Sequence, residues 1–146
     1  MGQQQLLLIL VGVVIVGLAI VVGISLWHDA AEQSNREAIV HDLQYLASSL
    51  VQAYMTPEVS AGLQGNYHKL YKDPELKILK KNRKKNPSTS PNYYWETDNG
   101  KYEFVKVTTD SVVLRGEGLE IGRDKVNPVT AYARMGASSF EIEITN

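Results

Sequence analysis

The chain has 146 residues and a formal net charge of −1, which suits one globular domain with an appended element and excludes whole-molecule steering toward nucleic acid or other polyanions. Cysteine is absent, so disulfide staples, thiolate metal sites, cysteine nucleophiles and C-x-x-C-H haem attachment are excluded. The balanced charge conceals a division: residues 1–27 contain no Asp, Glu, Lys or Arg, and all 15 basic and 16 acidic side chains follow them.

Residues 1–27 form the first element. Leu6, Leu7, Leu8, Ile9, Leu10 and Val11 lead to Gly12; Val13, Val14, Ile15 and Val16 lead to Gly17; Leu18, Ala19, Ile20, Val21 and Val22 lead to Gly23. Ile24, Leu26 and Trp27 complete the run, with Ser25 its only polar side chain. A helix over residues 6–27 rises about 33 Å at 1.5 Å per residue, the thickness of a bilayer hydrocarbon core. In lipid every backbone N–H and C=O must pair internally, so a helix is expected despite the many Val and Ile. A cleaved secretory signal fits poorly, because the run is too long and lacks both a basic start and an A-x-A site. Gly12, Gly17 and Gly23 are either tolerated in a membrane helix or allow close helix–helix approach, and they leave points where the helix can stretch.

Residues 28–55 read as an amphipathic continuation. No Gly or Pro occurs before Pro57, and Ile39, Leu43, Leu46 and Leu50, followed by Ala53 or Tyr54, recur at steps of three and four. That pattern is one apolar stripe on an α-helix. Glu32 and Arg36 stand at i,i+4 in the favourable order. The spacing predicts one continuous helix over residues 3–54, with a break near Trp27 and His28 as the alternative. The apolar half must face lipid or copies of itself, and the amphipathic half a folded domain of the same chain.

Residues 56–92 read as a basic, loop-rich connector. Residues 69–85 hold eight basic and two acidic side chains, densest at Lys77, Lys80, Lys81, Arg83, Lys84 and Lys85. This is an anion-binding strip or a solvated surface; the lack of interleaved aromatics favours the surface over nucleic-acid binding. The stretch from Pro87 to Pro91 reads as a loop, and Ser88, Thr89 and Ser90 are candidate acceptors for O-linked sugar.

Residues 93–146 have the texture of strands. Tyr93, Tyr94 and Trp95 lead to the turn signal Asp98-Asn99-Gly100, and a strand over residues 101–108 follows. A short β-branched run over residues 111–115 is expected to end at Gly116 and Gly118. Residues 129–135 form the next strand, turned at Gly136. In the last, Phe140, Ile142 and Ile144 alternate with Glu141 and Glu143, so a buried apolar face is expected. The chain therefore reads as an α+β protein: a long N-terminal helix packed on a C-terminal antiparallel sheet of four to five strands. Ile39, Leu43, Leu46, Leu50, Phe140, Ile142 and Ile144 are the expected head-packing residues.

Chemistry is sparse. His28, His41 and His68 have no metal-ligand spacing, and no nucleophile elbow, P-loop, dinucleotide fingerprint or zinc-protease motif is present. No enzymatic activity, metal or cofactor is implied.

An uncharged apolar helix at the N-terminus, running into an amphipathic helix and then a small antiparallel sheet, resembles type IV pilins and related pilin-like filament proteins. The resemblance covers the whole chain in architecture and about the first 55 residues in sequence texture. It implies a short leader cut after a glycine, with the mature chain starting at Met1 or just after Gly2. It also implies residence in the cytoplasmic membrane, assembly machinery that extracts the subunit, and an extracellular homopolymer of identical subunits bundled through the apolar helix. Cell adhesion is the associated role. Bacterial members usually carry a glutamate at the fifth mature position, where this chain has Gln5, or Leu7 if Gln3 is first. Gln3, Gln4 and Gln5 are neutral groups able to satisfy first-turn N–H groups of a neighbour. The rival readings are a single-pass membrane-anchored binding protein and a secretion-system pseudopilin.

Overall fold

A computed structural model describes residues 2–60, 62–71, 83–85 and 93–146. Helix α1, Gly2–Met55, runs 54 residues without interruption, about 81 Å at 1.5 Å per residue. Trp27 and His28 do not break it; their rings meet edge to face at 5.7 Å. No Gly or Pro lies between Trp27 and Pro57, so polarity changes there without changing conformation.

Pro57 stops the helix, and the chain then folds back over its end. The N–H groups of Leu63 and Gly65 donate to the carbonyls of Ala53 and Tyr54 at 2.8 Å each, and Thr56 Oγ1 donates to the Gln52 carbonyl at 2.8 Å. These bonds satisfy carbonyls that a helix C-terminus leaves unpaired. Gly65 has φ +72 and the backbone of Thr56 fills the space a Cβ on Gly62 would need, so both glycines serve this reversal. A 3₁₀ turn at Glu58–Ser60 and another at Tyr67–Tyr71 follow. The second carries Tyr67 and Leu70 into the core.

Among the described residues six strands form one antiparallel meander in chain order: β1 Arg83–Lys85, β2 Tyr93–Glu96, β3 Gly100–Val107, β4 Val112–Ile121, β5 Pro128–Met135 and β6 Phe140–Ile144. One face packs on α1. The helix supplies Ile39, Leu43, Leu46, Ala47, Leu50 and Ala53; the sheet supplies Trp95, Tyr102, Phe104, Val107, Val112, Leu114, Val129, Ala131, Ala133 and Met135. A bulge between Phe104 and Lys106 leaves Val105 as the extra residue. Inward alternation then resumes one place later, and Val107 joins the core.

The α+β architecture matches the expectation, and three details differ. Residues 93–146 supply five strands, within the expected four to five, and the basic triplet Arg83–Lys85 of the connector adds a sixth by pairing with β2. Lysines suit an edge, where charge deters further pairing. Strand β4 does not stop at Gly116 and Gly118 but runs through both to Ile121. A Cβ on Gly118 would strike Asn35 and Ile39, and one on Gly116 would crowd Ile39 and Tyr102. The two glycines let the helix lie close on the strand. Strand β6 is the opposite edge, and of its three apolar residues only Ile142 packs against the core. Phe140 and Ile144 stay 40% and 41% exposed, since a single helix does not reach across the full width of a six-stranded sheet.

Candidate functional site

By length and composition α1 is long and apolar enough to cross a membrane. Residues 2–30 are exposed on every side, and Val11, the least exposed large apolar side chain among them, is still 44% exposed. Residues 6–27 therefore offer about six turns of hydrophobic surface with no partner among the described residues, far beyond the scattered apolar residues normal on a water-facing surface. Gln3, Gln4 and Gln5 sit in its first turns, exposed. Gly12, Gly17 and Gly23 lie within regular helix, with nothing within 4 Å of the place a Cβ would take. Because the helix is unbroken, Gly12, Ala19 and Gly23 fall within about 20° of one line along it at 100° per residue; Gly17 faces elsewhere.

Beyond the arm, α1 is joined to the sheet by polar contacts at a few positions. Asp42 Oδ2 accepts from Thr97 Oγ1 at 2.9 Å, Asn99 Nδ2 at 3.0 Å and the Tyr102 hydroxyl at 2.9 Å. Asn99 N–H donates to Thr97 Oγ1 at 3.2 Å, which holds the β2–β3 turn facing the carboxylate. Burial pushes the Tyr102 hydroxyl pKa well up, and the accepting Asp42 charge adds to the effect. About two turns of helix nearer the arm, Asn35 Nδ2 donates to the Asn99 carbonyl at 2.9 Å, and Asn35 Oδ1 accepts from Glu120 N–H at 3.4 Å. Helix and sheet are thus pinned on the side from which the arm leaves.

Beside these pins an open groove of about 710 Å³ separates α1 from the β4–β5 loop and β6. Asp29, Glu32, Gln33, Arg36, Glu37, Val40, His41 and Gln44 form one wall, and Arg123, Lys125 and Ile144 the other. Arg36 is paired with Glu32 at 2.7 Å. The loop carrying Arg123 and Lys125 is held from inside: Asp124 accepts from Val126 N–H at 2.9 Å, Asn127 N–H at 2.8 Å and Asn127 Nδ2 at 2.6 Å. Those backbone donors hold its carboxyl well below the usual carboxylate range. Asn146 fastens the same loop by accepting from Asp124 N–H at 3.2 Å and donating to the Asn127 carbonyl at 3.1 Å.

Of the head-packing residues expected from sequence, Ile39, Leu43, Leu46 and Leu50 are buried together. Arg83, Lys84 and Lys85 lie on the β1 edge as backbone. Lys77, Lys80 and Lys81, like Ser88, Thr89 and Ser90, lie outside the described residues. Among the described residues no group of three His, Asp or Glu is placed to hold a metal ion. Asn35, Asp42 and the Arg123–Lys125 pair escape a sequence reading: each lies beside a stronger pattern, and Asp42's partners are 55 to 60 residues away. Only the Asp124–Asn127 turn carried a local signal, an Asx residue accepting from the backbone two residues on.

One long N-terminal helix packed on a small antiparallel sheet is the general pilin-like architecture. No protein-family model, curated protein or solved structure matches the chain.

Proposed function

We propose that the chain is a structural subunit of an extracellular, type IV pilus-like homopolymer, held in the cytoplasmic membrane by residues 6–27 before assembly and bundled through them afterwards. The observation that carries this reading is the exposed apolar half of one continuous helix whose other half packs on the head. A flexible tether would anchor a binding domain equally well. An apolar helix that runs unbroken into the head suits a subunit whose arm must be placed against others.

Packing of such rods in a filament replaces lipid contacts with contacts to identical arms, so close approach matters more than hydrophobic transfer. The line of Gly12, Ala19 and Gly23 supplies a low ridge for that approach. Gln5, in place of a carboxylate, leaves the arm uncharged throughout, and Gln3, Gln4 and Gln5 are available to first-turn N–H groups of a neighbour.

The reading is tested by shearing cells, sedimenting the released material and probing it for this chain. Wild-type chain is expected in the sheared pellet. Val14→Asp and Val16→Asp are expected to be absent from it, because an unpaired carboxylate at the middle of the arm costs about 3 kcal/mol in lipid or in a dry bundle. A wild-type chain confined to the membrane fraction would overturn the filament reading and leave an anchored protein. Variants that pellet like wild type would overturn the central bundle.

A further inference from the structure

The end of the head beside the arm carries an apolar cluster that its core does not use. Leu119, Ile121 and Val126 are 70%, 57% and 77% exposed, and they fall within eight residues of sequence at the end of β4 and in the loop after it. Arg123 and Lys125 stand among them. The position of this loop along α1 follows from its contacts. Glu120 meets Asn35, and Arg123 and Lys125 share a groove with Asp29. Asp29 is two residues past Trp27, about 3 Å of helical rise. Asn35, which Glu120 meets, is eight residues or about 12 Å of rise past Trp27. The loop after Glu120 continues toward the arm, so the cluster lies at the arm end of the head, within about 12 Å of the level where the apolar arm ends.

We infer that this loop is a second membrane contact, in which Leu119, Ile121 and Val126 enter the headgroup–acyl boundary while Arg123 and Lys125 bind lipid phosphates. The inference rests on residues 6–27 being a membrane anchor. An arm spanning the hydrocarbon brings the loop to headgroup height, where short apolar side chains gain by burial and basic side chains extend to the phosphates. The loop is pre-formed for this. Asp124 spends its carboxylate on Val126 N–H, Asn127 N–H and Asn127 Nδ2, and Asn146 clamps the loop from behind, so little ordering is left to offset the contact. Glu120 and Asp124 cancel the charges of Arg123 and Lys125, so the contact is to the phosphodiester common to phospholipids and needs no anionic lipid. Its effect is to hold the head upright on the bilayer, with the helix direction fixed at two points.

The absence of cysteine makes the test direct. Full-length Val126→Cys, Val59→Cys and Val16→Cys variants, each labelled with an environment-sensitive fluorophore, are reconstituted in phosphatidylcholine vesicles that carry a nitroxide either on the headgroup or deep in the acyl chain. Val59 is fully exposed and lies beyond Met55, about 42 Å of helical rise from Trp27, so its label reports a lipid-free position. The label at 126 is expected to be quenched by the headgroup nitroxide at least threefold more than the label at 59. Adding Leu119→Gln and Ile121→Gln is expected to bring it down to the level of 59. If the label at 16 is quenched from the acyl chain while 126 behaves like 59, the loop contact is wrong and the anchor stands. If the label at 16 is not quenched, the anchor reading fails and the loop contact fails with it.

Discussion

At the scale of single residues, the head depends on a carboxylate that no local pattern announces. Asp42 receives three donors on one oxygen, and one of them, the Tyr102 hydroxyl, belongs to a side chain with no exposed surface. Asp42→Ala leaves Thr97, Asn99 and Tyr102 without their acceptor and is expected to destabilise the head by about 3 kcal/mol. Tyr102→Phe in that background restores part of the loss, because it removes the buried unpaired hydroxyl. Chemical denaturation of the four variants of this cycle gives the coupling directly. Gly118→Ala acts differently: its Cβ collides with Asn35 and Ile39, and overpacking of this kind costs about 2 kcal/mol. Tyr67 gives a pH dependence. Its hydroxyl donates to the Gly136 carbonyl at 2.9 Å, and burial, with Tyr54 adding to it, leaves its pKa pushed up to about 12. Between pH 10 and that value the unfolded chain loses the proton while the folded chain keeps it, so stability is full below pH 10 and falls as pH rises toward 12. Melting temperatures across that window are expected to fall in wild type and to fall less steeply in Tyr67→Phe.

At the scale of elements, legibility followed periodicity. The stripe Ile39, Leu43, Leu46 and Leu50 was plain because a helix that buries one face must repeat at three and four, and all four side chains are in the core. Continuity through Trp27 was the expected reading, with a break there as the alternative, because no Gly or Pro lies between Trp27 and Pro57. The reading of β4 stopped early because a glycine in a strand looks the same whether it ends the strand or makes room for a helix; only the helix at Asn35 and Ile39 distinguishes the two. Strand β1 was hidden by its charge, since an edge strand protected by lysines has the composition of a solvated loop. Strand β6 has the alternation of a half-buried strand, yet Phe140 and Ile144 stay partly exposed because burial depends on how far the helix reaches, which alternation does not encode. The polar pins at Asn35 and Asp42 join residues tens of positions apart, and no spacing rule reaches that far. The candidate site divides the same way: the apolar arm was fully legible, and the groove and the Arg123–Lys125 loop beside it were not.

At the scale of the whole molecule, the chain is one rod with two environments. Its C-terminal half is covered by a sheet of its own chain, and its N-terminal half has no cover among the described residues. Hydrophobic surface on that scale marks a membrane or protein contact, and the helix is unbroken from arm to head. On the proposed function, the membrane holds isolated subunits with the arm in lipid, and the filament holds them with arms against arms. The measurement that tests this most directly is electron cryomicroscopy of filaments sheared from cells that make the chain. The account predicts helical polymers of this chain alone, with residues 6–27 as helices bundled at the centre and the six-stranded sheets on the outside. Filaments that lack the chain, or that hold it with the apolar arm on the surface, would contradict it.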